Sequence, residues 1–255
     1  MDTRQEIIRS LQSQLLRGVK PAACEPVAHG LFSSIPGLAA LCPLSHGSGG
    51  MLVEWLSSGR GSGCEMLALL VAHEALKDGG KLVVCDGAGD FFAGTLVGWG
   101  MALERLILLR PQNRKDLFWA CEQALRCRGV SVLLGEFDRL TSNEFRRLQL
   151  SAEEGGTVGL LLRPLATERE PSWAAVRFKV ESHSSLVGSA PARATRDGQP
   201  EKNAVQGRRV HLKILRSRGG RSEGALLLEI DHATGVVRLV PELAHSKTVA
   251  RSAGD

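Results

Sequence analysis

The sequence has no C-x-x-C pair, no apolar run of membrane-spanning length and no internal repeat. Each absence removes a class of protein. The six cysteines, Cys24, Cys42, Cys64, Cys85, Cys121 and Cys127, stand singly inside apolar segments, which favours buried free thiols over a metal site. The opening MDTRQEIIRS lacks the apolar stretch of a signal peptide. With no spanning segment either, the expected residence is cytoplasmic, with no membrane partner. Serines are plentiful, but none is singled out beside a base, so no catalytic residue is assigned. A hydrophobic content of 43% is enough for a sizeable core and excludes disorder throughout. The net charge of +5 is mildly basic, compatible with an acidic partner without requiring one.

What is present is a regular alternation. Asp2 to Arg17 reads as an amphipathic helix with Ile7, Ile8, Leu11, Leu15 and Leu16 near one face, able to dock on its own domain or on another protein. Met51–Leu56 is a short apolar run, followed by the turn SSGRGSG and a helix over Cys64–Leu76. Lys81–Cys85 reads as a strand, Asp90–Leu103 as a helix and Arg105–Leu109 as a strand. Asp116–Cys127 is helical and Val130–Leu134 the next strand. Thr141 followed three residues later by Glu144 is a capping box opening a helix to Glu154, and Thr157–Leu162 is another buried strand. Strands alternating with helices predict an α/β fold, a mostly parallel sheet flanked by helices on both faces. Beyond Pro164 the pattern turns to alternating strands at Ala174–Val180, Arg209–Leu215, Ala225–Ile230 and Val236–Val240, an antiparallel meander ending the sheet.

A strand entering a glycine-rich turn and then a helix is where such folds place a phosphate loop. Backbone N–H groups cradle phosphates, a Lys reaches them and a hydroxyl holds Mg²⁺, in the pattern G-x-x-x-x-G-K-[ST]. Aligned on Gly63, the loop has Ser58 for the first glycine, Cys64 for the Lys and Glu65 for the hydroxyl. Gly59, Gly61 and Gly63 survive beside Cys64 and Glu65 as a vestigial loop, with the cation lost and a carboxylate added. No cofactor is expected there, neither ATP nor magnesium. The strand-end acid of such sites is also displaced. Glu136 follows Gly135 by one position, so it would reach the site only if the strand bulged.

The segments VEWLSSGRGSG, LVVCDGAGDFFAG and DLFWACEQALRCRGVSVLLGEF stand in the order and spacing of the RecA ATPase core. FRRLQLSAEEGGTVGLLLRP, REPSWAAVRFKV and RRVHLKILRSRGGR resemble the ImuA family, RecA-like proteins of bacterial mutagenesis operons. The resemblance covers Glu54 to Glu229 and is most specific over Arg146–Pro171 and Arg208–Arg221. It implies a RecA-like core and a non-catalytic accessory role in damage-induced (SOS) translesion DNA synthesis and mutagenesis. The implied partners are an ImuB-like inactive relative of the Y-family polymerases and an error-prone replicative-type DNA polymerase. RecA and single-stranded DNA are further candidates, with nucleoid association during the damage response. Members of this family generally depart from the phosphate-loop consensus. The division inhibitor SulA shares the degenerate core and supplies a rival reading. A RecA-class DNA-dependent ATPase with an unusual metal site at Glu65 or Glu136 is the other.

The expected organisation is a helix and linker over 1–29, the RecA-like core over 30–181, a flexible insertion over 182–207, the meander of the same domain over 208–240, and a tail over 241–255. Arg208, Arg209, Lys213, Arg216, Arg218 and Arg221 form a basic cluster with no acid before Glu223. It is a candidate surface for single-stranded DNA or an acidic partner. The alternative is a solvated strand face that keeps a sheet edge from aggregating. No aromatic is interleaved in it, so base stacking is not expected. Phe118, Trp119 and Trp173 read as core or sheet-packing residues, and His73 as structural. Asp86 closes a parallel strand, and is either a site residue or a turn residue.

Overall fold

The computed structural model describes residues 30–44, 49–77, 79–183, 207–218 and 224–240. The helix expected over Asp2–Arg17, the tail from 241, Cys24 and Arg221 lie outside the described residues. So does most of the expected insertion: Ser182 closes one strand and Gly207 opens the next.

The strands are β1 (Met51–Ser57), β2 (Lys81–Cys85), β3 (Leu106–Leu109), β4 (Val130–Glu136), β5 (Val158–Pro164), β6 (Val176–Ser182), β7 (Gly207–Ser217), β8 (Gly224–Asp231) and β9 (Val237–Leu239). The helices are α1 (Leu38–Leu41), α2 (Cys64–Ala75), α3 (Gly94–Gly98), α4 (Arg114–Arg126) and α5 (Ser142–Gly155). All nine strands join one sheet in the order β3-β2-β4-β5-β1-β6-β7-β8-β9. From β3 to β6 every pairing is parallel. From β6 to β9 every pairing is antiparallel. This is the expected RecA-like α/β architecture, closing in a meander.

The alternation of side chains on the strands builds two cores. Val53, Trp55, Leu82, Val84, Val132, Leu134 and Leu160 face α2, and Val210, Leu212 and Ile214 of the meander extend the same layer. Leu52, Val83, Leu133 and Leu161 face α4 and α5, meeting Cys121, Leu125, Phe145 and Leu148. With a helical layer on each face, β1 is buried along almost its whole length, which is why it reads as an unbroken apolar run but for one acid. That acid is Glu54.

The capping box holds: Glu144 N donates to Thr141 Oγ1 at 3.2 Å and Thr141 N to Glu144 Oε2 at 2.8 Å. One expected helix does not form. Instead of a helix over Asp90–Leu103 there is only the five-residue α3 and a 3-10 turn at Leu103–Arg105. Gly94, Gly98 and Gly100 weaken any helix there, and Gly100 takes a left-handed φ of 84° that breaks it. No helix among the described residues is long and apolar enough to cross a membrane.

Candidate functional site

At the carboxyl end of β1 the chain leaves the sheet through Ser58–Gly63 and enters α2. Gly59, Gly61 and Gly63 have φ of 135°, 75° and 87°, left-handed conformations that other residues rarely adopt. The loop also lies close beneath β7. A Cβ on Gly63 would stand 2.6 Å from Val210 Cγ1, and one on Gly61 would stand 3.7 Å from Arg208 Nη1. The glycines therefore persist because the loop's path and its contact with the meander require them, whatever the loop binds.

The loop floors a cavity of about 940 Å³ at the carboxyl ends of β1, β2, β4 and β5, with Phe91 and Phe92 at one side and Arg208 at another. Open α/β sheets bind ligands at this edge. Among the described residues its lining includes no lysine. Cys64 is buried at the first position of α2, and its backbone N–H is taken by Ser62 Oγ at 3.3 Å. Burial, with lesser contributions from Glu65 and Glu136, pushes its thiol up to about 12. Cys64 is thus a neutral thiol at physiological pH and no nucleophile.

Glu136 is in the cavity. It gets there through an irregularity in β4, the condition that the spacing set: against β2, Lys81 pairs with Val130 and Leu82 with Val132, so Ser131 is an extra residue and Val130 and Val132 face opposite layers. Pairing with β5 runs in regular register from Val132 to Glu136. Val132 and Leu134 face α2, and Glu136 keeps their parity. The residue that turns away is Gly135, where a Cβ would meet Phe137 and Cys121 of the other layer. Glu136 and Glu65 therefore confront one another. Solvent reaches Glu65, yet enclosure by the cavity walls and then repulsion from Glu136 raise its carboxyl above the ordinary range, with Arg60 opposing. Arg60 is itself engaged with Asp90. A carboxyl raised by folding favours the native state fully below its unfolded pKa, and that advantage is lost as pH rises through the folded value. Glu65→Gln is therefore expected to raise the melting temperature at pH 7 and to match the wild type below about pH 4. Melts across that range check it, and a gap that persists at acid pH would contradict the cause.

Asp86, a further acid at this edge, is a turn residue. Its Oδ1 accepts from the backbone of Gly89 at 2.7 Å and Asp90 at 3.1 Å, and its Oδ2 from Phe91 N and Arg110 Nε, each at 3.3 Å. Among the described residues no group of three or more His, Cys, Asp or Glu could hold a metal ion.

The basic cluster is divided by the pleat. Arg208 shares a face with Val210 and points to the glycine loop and cavity. Arg209 lies on the other face and pairs with Glu229 at 3.2 Å. Lys213 is exposed there, in register with Lys179 of β6. Arg216 donates from Nη1 to the Ser172 carbonyl at 2.7 Å, and Arg218 is exposed after the strand. Two further cations on this face, Lys179 and Arg238 of β9, are separate in sequence and joined by pairing. The alternation of VRFKVE, with Val176, Phe178 and Val180 buried, is the signal that marks Lys179 as outward. Lys179 pairs with Glu181 at 3.0 Å, so the face carries mixed charges with a basic excess.

Phe118 is buried against α5's Arg147, Trp173 lies under Arg146 at 4.8 Å, and both pack rather than line the cavity. His73, on the far turn of α2, is also outside the cavity.

No family model matches the chain. Protein ImuA of Caulobacter vibrioides strain NA1000 is 30% identical over 183 residues, 70% of this chain and 73% of that protein. The cell division inhibitor SulA of Photorhabdus laumondii is 32% identical over 92 residues, 36% of this chain and 49% of SulA. That of Edwardsiella piscicida is 37% identical over 91 residues, 36% of this chain and 51% of SulA. The SulA likeness thus stops at a third of this chain, while the ImuA likeness spans the greater part of both proteins. The chain belongs to the ImuA family.

Proposed function

We propose that this protein is a non-catalytic accessory factor of damage-induced translesion DNA synthesis, holding polymerase-related partners together. The observation that carries the non-catalytic part is the cavity where a RecA-class ATPase would hold nucleotide. Among the described residues it has no lysine, its first helical position is a locked thiol, and Glu65 faces Glu136 where a triphosphate would bring more negative charge. The pathway and the partners follow from family membership: an ImuB-like inactive polymerase relative and an error-prone replicative-type polymerase. The outward face of the meander, with Arg209, Lys213, Arg216, Lys179 and Arg238, is the surface for an acidic partner or for the phosphates of single-stranded DNA.

Calorimetry with Mg·ATP is expected to give no binding heat, and DNA is expected to stimulate no phosphate release. Turnover that Glu136→Gln abolishes would instead establish an ATPase built on the confronted carboxylates. Capture from damaged cells is expected to recover the polymerase relative, with Lys213→Glu/Arg216→Glu weakening the interaction in a salt-dependent way. Recovery of the tubulin-like division protein in its place would favour the SulA-like role.

A further inference from the structure

The two edges of the sheet are built differently. At one edge β9 is three residues long, carries Arg238 at its centre, and is followed in sequence by Pro241. Shortness, charge and proline are the usual means of keeping an edge from pairing. At the other edge β3 reads Leu-Ile-Leu-Leu, with no charge, no proline and no glycine. Its only sheet neighbour among the described residues is β2. Leu106 and Leu108 belong to the layer facing α2, and Ile107 and Leu109 to the layer facing α4. All four are only half-buried, so both layers of the core stop short at this edge. Leu103, just before the strand, is 49% exposed. An apolar edge strand with a free row of backbone donors and acceptors is a template for one more strand.

The charges beside the strand indicate what that strand is. Glu104 precedes β3 and is exposed, with no ion pair to another described residue. Arg110 follows β3 with a side chain 59% exposed, using Nε on Asp86 and leaving its other nitrogens available. When two copies of β3 are laid antiparallel about a two-fold axis through Ile107, position 106 meets 108 and position 105 meets 109, while Glu104, in the 3-10 turn that leads into the strand, lies just beyond the ladder. That register sets Leu106, Ile107 and Leu108 of each copy against the other's, places Leu109 against Arg105, and leaves each Glu104 on the side of the partner copy's Arg110, twice by symmetry. The segment is complementary to itself over Leu106–Leu108 and in the opposite charges that flank the strand.

We propose that β3 is a homodimer interface, at which two copies of this chain pair antiparallel about Ile107 and continue one sheet into the other. This is independent of the functional reading above, since it uses neither the cavity nor the basic face.

Sedimentation velocity of the full chain over a hundredfold range of concentration tests it. The wild type is expected to dimerise. Glu104→Arg places Arg against Arg twice, and Arg110→Glu places Glu against Glu twice. Each alone is expected to raise the dimer dissociation constant roughly tenfold or more. An equimolar mixture of the two variants re-forms Arg–Glu contacts at both ends and is expected to dimerise as the wild type does. Ile107→Lys, which sets two ammonium groups on the axis, is expected to be monomeric, with thermal melts confirming that each variant is folded. A wild type that stays monomeric overturns the proposal, whatever else covers the edge. So does a dimer that none of the three substitutions weakens, or a mixture that fails to recover.

Discussion

Glu54→Gln is expected to lower the unfolding free energy by about 3–5 kcal/mol, the cost of breaking a buried ion pair from one side. Glu54 lies mid-strand in β1 with no exposure at all. Its Oε1 accepts from Arg163 Nη1 at 2.8 Å, and its Oε2 from Arg177 Nε at 2.6 Å and Ser172 Oγ at 2.7 Å. Arg163 is equally buried and Arg177 nearly so. Both guanidinium groups have other acceptors: Arg163 reaches Glu170 at 2.7 Å, and Arg177 the Glu168 and Glu170 carbonyls at 2.7 and 3.0 Å. None of these supplies a second buried charge at the same point. Removing the carboxylate therefore strands two cations that water cannot reach, whereas the pair as a whole is no great source of stability. A double-mutant cycle with Arg163→Met should show the double variant losing well under the sum of the two single losses. Urea unfolding followed by circular dichroism measures all three, and a single loss below about 1 kcal/mol would contradict this account. The pH dependence follows from the same contacts. Burial alone would raise the Glu54 carboxyl, but the hydrogen bonds from Arg177 and Ser172, the Arg177 charge and the Arg163 hydrogen bond outweigh it and hold it below the ordinary range. A carboxyl lowered by folding stabilises the protein above its unfolded pKa, and that stability is lost as pH falls through the folded value. The wild type should therefore lose stability faster than Glu54→Gln as the pH falls below about 4.

Trp55→Ala is expected to cost about 3–5 kcal/mol by emptying the centre of the opposite layer. Trp55 is the largest fully buried side chain, packed at a tilt against Phe178 with centroids 4.6 Å apart, and Phe178 in turn meets Phe32 edge-on at 5.3 Å. Those three rings tie β1 and β6 to the segment that precedes α1, so the cavity left by alanine has rigid walls and cannot collapse. Trp55→Phe should behave quite differently. The indole Nε1 is buried without a hydrogen-bond partner among the described residues, and phenylalanine removes that unmet donor while keeping most of the ring contact. Its loss should be a small fraction of the alanine loss. Equal losses for the two variants would mean that the indole N–H finds a partner in solution. Either alanine or glutamine at these adjacent positions loosens the strand that launches the glycine loop, so both variants should also blur the geometry of the cavity.

Much of this fold was legible because its signals are local. The capping box at Thr141 and Glu144, the five-residue strand at Lys81–Cys85 and the alternation of Val210, Leu212 and Ile214 each express periodicity or capping within a few residues. The expected helix over Asp90–Leu103 failed because Asp86, lying outside it, captures three backbone N–H groups and bends the chain into a turn, and the glycines beyond do not recover it. At the candidate site, residue types were enough to expose the missing lysine and the misplaced carboxylate of Glu65. They left Glu136 conditional on a bulge in β4, and the bulge, between Val130 and Val132 against β2, is a matter of pairing that leaves no mark in the spacing. Nothing in the spacing of Glu54, Arg163 and Arg177 announced a network. They lie 109 and 123 positions apart along the chain and meet only because β5 and β6 flank β1.

Hydrophobic periodicity, turn residues and caps are short-range physics, and they were sufficient for the class of fold. The division of one basic run between a cavity and an open face, the confrontation of Glu65 with Glu136, and the contrast between a guarded and an unguarded sheet edge belong to the tertiary structure. Each depends on strand order and register, which are set by pairings between segments far apart in the chain, and so has no local trace in the sequence.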